Sequence, residues 1–244
     1  MPDFSKEREI VWSLLDKTEM SLATYGSDGT YAVNQYVLKN INQMGSDMDA
    51  TWVKEGCTKV VFYFRKLMPN YVIKIPFMGC YCFDDNDDEE INDENVYYFD
   101  EASSFNQNIN EWDYCEAESF LYTKAIEAHV ENFFAGTYFL GLYKDTYPIY
   151  ISEYIANYHR PRSKNKIDLL ALKDFYSQFD RNYLDSFEDS LSWYLLNYYG
   201  KERFAALMSF IQDWDITDLH YGNVFFTSNG ELKIIDYSGY NESL

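Results

Sequence analysis

The spacing of apolar positions divides the chain into segments of different period. Residues 5–42 read as helical, interrupted by the turn signal Gly26-Ser27-Asp28-Gly29. The period then shortens. Residues 58–64 (TKVVFYF) are β-branched and aromatic, 67–70 carry a Pro-Asn turn, and 71–76 (YVIKIP) are apolar again. They predict a hairpin, with a third strand around 50–53. Residues 111–132 predict a helix, because Cys115, Tyr122, Ala125 and Ile126 recur at helical spacing. A second strand pair follows at 137–143 and 148–155. From about residue 156 the period turns helical, with stretches at 166–179, 185–199 and 201–212, and Gly200 is placed to end the second. Strands at 224–227 and 232–235 flank Asn229-Gly230.

This order predicts an α+β protein in two lobes. Residues 1–49 form a helical N-terminal extension. Residues 50–155 form a lobe with a mainly antiparallel sheet and one helix, and 156–244 form a reduced helical lobe. The hinge is expected at 153–156.

Composition narrows the class. Hydrophobic residues make up 47% and aromatics 19% of 244 residues, which argues against disorder. Tyr is unusually common, at 24 residues, and suits half-buried positions with one wet end. No apolar run is long enough for a membrane span, and the first residues carry no secretory signal. Four cysteines (Cys57, Cys80, Cys82 and Cys115) without a CxxC pair suggest a reducing compartment, so a cytoplasmic protein is expected. The net charge of −20 opposes nucleic-acid binding. Half of it lies in residues 84–101, which hold ten acids and no base. That run matches a calcium loop poorly, with Glu89 at the glycine position and Asn95 at the twelfth, and reads as a solvated insertion.

The chemistry-bearing segment is 213–240. Asn229-Gly230 reads as a two-residue type I′ turn. Pairing outward from it sets Phe225 opposite Ile234, Val224 opposite Ile235 and Asn223 opposite Asp236. Directly opposed residues have Cβ atoms about 4.5–5.5 Å apart. An amide oxygen and a carboxylate held that close are hard ligands suited to Mg²⁺. Asp218 precedes Asn223 in an irregular stretch that could aim it at the same point.

Asp218-Leu219-His220-Tyr221-Gly222-Asn223 followed by Ile234-Ile235-Asp236 resembles the catalytic and metal-binding loops of the protein-kinase-like superfamily. The DLHxGN form is similar to aminoglycoside- and choline-kinase-type phosphotransferases rather than to the HRDLxxxN of protein kinases. The resemblance implies a bilobal kinase-like fold, with ATP and Mg²⁺ as cofactors. Asp218 would accept the proton of the attacking hydroxyl, and Asn223 and Asp236 would hold Mg²⁺ on the phosphates. Lys74 in YVIKI resembles the VAIK lysine that pairs with phosphates, and Val72, on the same face, would cover the adenine. Glu116, Glu118 and Glu127 qualify by position as its partner. Glu118 is preferred because it shares a face with Cys115, Tyr122 and Ala125. Glu153, Tyr154 and Ile155 resemble the hinge that holds the adenine edge, and Gly56 lies in the loop expected to cover the phosphates.

The departures also carry expectations. That loop, 54–59, holds one glycine, which implies a weak phosphate grip. Ile216 and Thr217 stand where protein kinases have His-Arg, and Asp236-Tyr237-Ser238 replaces DFG. No APE motif follows, so an acceptor site would be built from 156–212 or the helical extension. The acceptor is open, a protein or a small molecule, with cationic ones favoured by steering. The alternative is an inactive pseudokinase whose acidic surface binds a basic partner. The compact size and the acidic, Tyr/Asn-rich composition look like kinase-like proteins of phages or other mobile elements.

Overall fold

The structure is a computed structural model that describes residues 2–20, 23–27, 30–32, 35–56, 59–76, 79–81, 97–98, 114–159, 166–179, 187–216, 219 and 222–237. The chain divides into two compact units, 1–117 with 137–154, and 118–136 with 155–244. The second thus includes residues 118–136, which the sequence reading assigned to the first lobe. Among the described residues, no helix is long and apolar enough to cross a membrane.

The first unit opens with helix α1 (Ser5–Leu15), strands β1 (Ala23–Ser27) and β2 (Thr30–Ala32), and helix α2 (Gln35–Asp47). Strands β3 (Trp52–Glu55), β4 (Lys59–Tyr63), β5 (Tyr71–Pro76), β6 (Gly79–Tyr81) and β7 (Tyr97–Tyr98) follow. Helix α3 (Tyr114–Glu127), whose residues from 118 on belong to the second unit, comes next, then β8 (Thr137–Tyr143) and β9 (Tyr147–Glu153). Five strands form a sheet in the order β3-β4-β5-β9-β8, every neighbouring pair antiparallel.

Strand alternation gives this sheet two different faces. Val60, Phe62, Ile73, Ile75, Ile149 and Ile151 point to one side, where they share a core with Val11, Leu14 and Leu15 of α1 and Ile41, Met44 and Met48. Each such side chain contributes about 1.5–3 kcal/mol by burial. Gly45 lets α2 lie close against the sheet, because a Cβ there would overlap the Val53 side chain. At the other edge Tyr143 donates its hydroxyl hydrogen to Asp16 Oδ1 at 2.8 Å, and its ring meets Trp12 edge-on at 5.9 Å.

The N-terminal segment is therefore not a helical extension. Its two helices complete the first unit's core, and a hairpin separates them. Ser27 pairs with Thr30 across Asp28-Gly29, and β1 pairs in parallel with β6 in a second sheet of order β2-β1-β6-β7. The Asp-Gly pair between β-prone residues was the available signal. Of the acidic run 84–101, only Tyr97 and Tyr98 are described, as β7.

The second unit contains helices α4 (Leu169–Tyr176), α5 (Asp189–Tyr199) and α6 (Lys201–Asp213), then strands β10 (Val224–Phe226) and β11 (Leu232–Ile234). Asp168 caps α4 by accepting from the N–H groups of Leu170 and Ala171 at 3.1 Å. Gly200 (φ +81°) ends α5, as its position predicts. Phe175 stacks on Phe204 at 4.8 Å, in a core that also takes Leu207, Ile211, Phe226, Leu232 and Ile234.

The β10–β11 register differs by one residue from the expected one. Val224 faces Ile234 and Phe226 faces Leu232. The connection is a three-residue loop, Ser228-Asn229-Gly230, in which Thr227 N–H donates to Glu231 O at 2.9 Å. Gly230 takes φ +82°, while Asn229 does not enter the left-handed region that a type I′ turn requires. Burial decides between the two forms, because only this register puts Phe226, Leu232 and Ile234 on one inward face. Three tyrosines of α5 then hold the loop. Tyr194 and Tyr198 donate to the carbonyls of Gly230 (2.8 Å) and Asn229 (3.1 Å), and Leu232 N–H donates to Tyr199 Oη at 2.7 Å.

Candidate functional site

Lys74 lies on β5, the third strand of the five-strand sheet, opposite Val61 on one side and Tyr150 on the other. Its neighbours Ile73 and Ile75 face the α1–α2 core, so alternation sends Lys74 and Val72 to the opposite face. Both are 6% exposed. Val72 is flanked there by Tyr63 and Ser152, and Thr137 and Ser152 share a hydroxyl hydrogen bond of 2.9 Å. A cation, an apolar surface and a pair of hydroxyls thus share one side of the sheet.

Glu118 is fully buried on α3. Of the alternatives, Glu116 is half-buried, while Glu127 is exposed and pairs with Lys124 at 2.9 Å. Burial on this helix follows Cys115, Ala117, Glu118, Leu121 and Ala125, whereas Ile126 is exposed.

The end of β9 bears on the hinge residues. Glu153 pairs with Tyr71, and Tyr154 N–H donates to Asn70 O at 2.8 Å. That amide is therefore engaged within the unit. The Tyr154 ring stacks on Tyr63 at 4.2 Å. Ile155 is buried and opens the second unit's long segment. Gly56 is exposed, and its N–H donates to Lys59 O at 2.8 Å, closing β3 onto β4 around Cys57-Thr58. The expected backbone donor of the phosphate loop is thus occupied by the hairpin itself.

In the second unit the open end of the β10–β11 hairpin brings Asn223 and Asp236 together, though not as a directly opposed pair. Asn223 faces Ile235, whose N–H donates to Asn223 O at 2.8 Å, and Asn223 Nδ2 donates to the backbone carbonyl of Asp236 at 3.4 Å. Asn223 is 6% exposed and Asp236 half-buried. Asp236 has φ +53°, in the left-handed region that non-glycine residues enter seldom and at a cost of about 1–3 kcal/mol. Tyr237 supplies an anchor for that conformation. It is fully buried, its hydroxyl donates to Ala135 O at 2.8 Å, and its ring lies 4.9 Å from that of Phe134. Phe134 bridges Ile234 in parallel, Ala135 N–H donates to Ile234 O at 2.9 Å, and Lys233 Nζ donates to Phe134 O at 3.1 Å.

Asp218 lies outside the described residues, as do His220 and Tyr221. Among the described residues, no three His, Cys, Asp or Glu side chains gather as a metal cage. Sequence reasoning missed the anchoring role of Tyr237, whose only signal was an aromatic residue directly after Asp236. Comparison of the chain with protein-family models, with curated proteins and with solved structures gives no match.

Proposed function

We propose that this protein is an ATP–Mg²⁺-dependent phosphotransferase of the protein-kinase-like type, acting on a hydroxyl acceptor. The observation that carries the reading is the open end of the β10–β11 hairpin. There Asn223 meets Asp236, and Asp236 is held in a left-handed conformation. The donor set fits Mg²⁺. Asn223 turns its nitrogen to a carbonyl, and its amide oxygen and the Asp236 carboxylate are hard oxygen ligands. Two protein ligands suffice for an ion that takes the remainder from phosphates and water. Bound there, Mg²⁺ would neutralise charge on the phosphate oxygens.

The same reading is supported by a buried lysine on β5, the third strand of the five-strand sheet, and by a buried glutamate on α3, Glu118, in the second unit. Lys74 would hold the phosphates, and Glu118 is the candidate for the glutamate that the resemblance calls for. Val72 would cover the adenine, and the 153–155 backbone would contribute its edge contacts. Asp218 would take the hydroxyl proton as the acceptor oxygen bonds to the γ-phosphorus and the bond to the departing diphosphate breaks. A surface of net charge −20 favours a cationic acceptor.

A second reading, a pseudokinase serving as an acidic binding module, is favoured by the engaged amide of Gly56. The test is thermal melting with ATP, with and without Mg²⁺. The wild type should be stabilised, and Asp236→Asn should lose most of the Mg²⁺-dependent part. Absence of any shift with ATP and Mg²⁺ in the wild type would overturn the kinase-like reading. Stabilisation without phosphoryl transfer would favour the pseudokinase.

A further inference from the structure

Of the 11 glycines, one follows an asparagine, and that pair, Asn229-Gly230, lies in the β10–β11 loop. An asparagine can react with its own chain. The nitrogen of the next residue attacks the side-chain carboxamide, and glycine obstructs that approach least because it has no Cβ. Here both polar atoms of the peptide that must supply the nucleophile are held. Gly230 N–H donates to Thr227 O at 2.9 Å, and the carbonyl oxygen of Asn229 accepts from the Tyr198 hydroxyl at 3.1 Å. The following peptide is held at its carbonyl, where Gly230 O accepts from the Tyr194 hydroxyl at 2.8 Å. Gly230 is buried and takes φ +82°, whereas Asn229 is exposed. Water reaches the residue that carries the carboxamide, while the attacking nitrogen is buried and bonded.

We infer that Asn229 is a self-modification site that the tyrosines of α5 keep latent: it deamidates when the hairpin loop opens, and the isoaspartyl product prevents the loop from closing again. The inference is independent of the phosphotransferase reading. In the first step Gly230 N loses its proton to water and bonds to Asn229 Cγ. The Cγ–Nδ2 bond breaks, and Nδ2 takes protons from water and leaves as ammonia, so a cyclic imide remains. Water then adds to one of the two ring carbonyls. Addition at Cγ gives aspartate. Addition at the main-chain carbonyl gives isoaspartate, in which the chain runs through Cβ and is one carbon longer. In the closed loop the nitrogen cannot turn towards Cγ without leaving Thr227 O, nor can its peptide rotate without leaving the Tyr198 hydroxyl. Two net hydrogen bonds correspond to a rate about 5- to 150-fold below that of the open chain. Isoaspartate removes the match that holds the loop. The longer backbone cannot offer the carbonyls of residues 229 and 230 to Tyr198 and Tyr194 while Leu232 N–H meets Tyr199. Aspartate leaves the backbone unchanged, so the isoaspartyl product alone holds the loop open.

The test follows residue 229 by peptide mapping that separates asparagine, aspartate and isoaspartate after incubation at neutral pH. The wild type, Tyr198→Phe and Tyr143→Phe are compared in the folded state, and the wild type also in urea. The unfolded wild type should convert about 5- to 150-fold faster than the folded one. Folded Tyr198→Phe should convert about 2- to 10-fold faster than the folded wild type, the equivalent of one net hydrogen bond. Tyr143→Phe removes a hydroxyl from the first unit and should convert at the wild-type rate, which separates release of the loop from general destabilisation. Equal rates in the folded and unfolded wild type, or in Tyr198→Phe and the wild type, would overturn the inference. So would an absence of conversion in urea, or acceleration by Tyr143→Phe equal to that by Tyr198→Phe. A second readout compares the isoaspartyl protein, separated from aged wild type, with Asn229→Asp. The isoaspartyl form should unfold at lower urea, and Asn229→Asp should stay near the wild-type midpoint. Equal midpoints for the two would overturn the claim that the modified loop cannot close.

Discussion

Replacing Tyr237 by Phe isolates one hydroxyl whose loss should be visible in both stability and metal handling. The side chain is fully buried, and its hydroxyl is 2.8 Å from the carbonyl of Ala135, itself in a residue 1% exposed. Phe keeps the ring and its contact with Phe134, so the change removes one donor and leaves a buried acceptor without it. Such a loss costs about 1–3 kcal/mol. With a urea slope of about 2 kcal/mol per molar, the midpoint should fall by roughly 0.5–1.5 M. Trp193 and Trp214 lie in the affected unit and serve as fluorescent reporters. Tyr237→Ala should cost more, about 3–5 kcal/mol, because it also empties a core position. If the hydroxyl helps fix Asp236 at φ +53°, Tyr237→Phe should also weaken the Mg²⁺-dependent part of ATP stabilisation. An unchanged urea midpoint in Tyr237→Phe would refute the reasoning, because it would mean that the hydroxyl contributes nothing to holding the strand end.

Two other outcomes are expected. Asp218→Ala should leave ATP affinity within a few-fold and cut turnover by roughly 10²–10⁴, whereas Lys74→Ala should weaken both, a contrast read from binding and single-turnover rates. Burial, as the leading cause, pushes Tyr143, Tyr176 and Tyr199 each up to about 12, with the acceptor Asp16 adding to the effect at Tyr143. The unfolded chain loses these protons near pH 10, while the folded chain keeps them to about 12. Their contribution is therefore complete below about pH 10 and falls as pH rises towards 12, so melting temperatures measured along that range should drop steeply. Phe at all three positions should flatten the drop.

The sequence is informative wherever local pattern and tertiary packing ask for the same thing. Strands β5 and β8 run over Tyr71–Pro76 and Thr137–Tyr143, the residues their apolar patterns mark, because each is held in the five-strand sheet by neighbours on both sides or by a tight hairpin. The β1–β2 hairpin is hidden by the helical stretches on either side, and its parallel partner β6 lies more than 50 residues away. The β10–β11 register is a question of turn chemistry. Asn-Gly is compatible with a two-residue turn or with a three-residue loop ending in a left-handed glycine. The choice depends on the burial of Phe226 and on hydroxyls of α5 some thirty residues earlier. At the candidate site, the sequence names candidate residues but carries nothing about their conformations. The left-handed backbone of Asp236 and the engaged amides of Gly56 and Tyr154 arise from pairings that no motif encodes.

The three hydroxyls that α5 presents to the hairpin loop have a consequence for how errors are rejected. Tyr194, Tyr198 and Tyr199 match three backbone addresses within residues 229–232, the carbonyls of Asn229 and Gly230 and the amide of Leu232. A one-residue slip of β11 would put every one of those addresses out of step at once. Each mismatch alone is small, about 0.5–1.5 kcal/mol, but they fail together, so the helix works as a checksum on the strand. The residues verified by that checksum are the ones that set where Asp236 comes to rest.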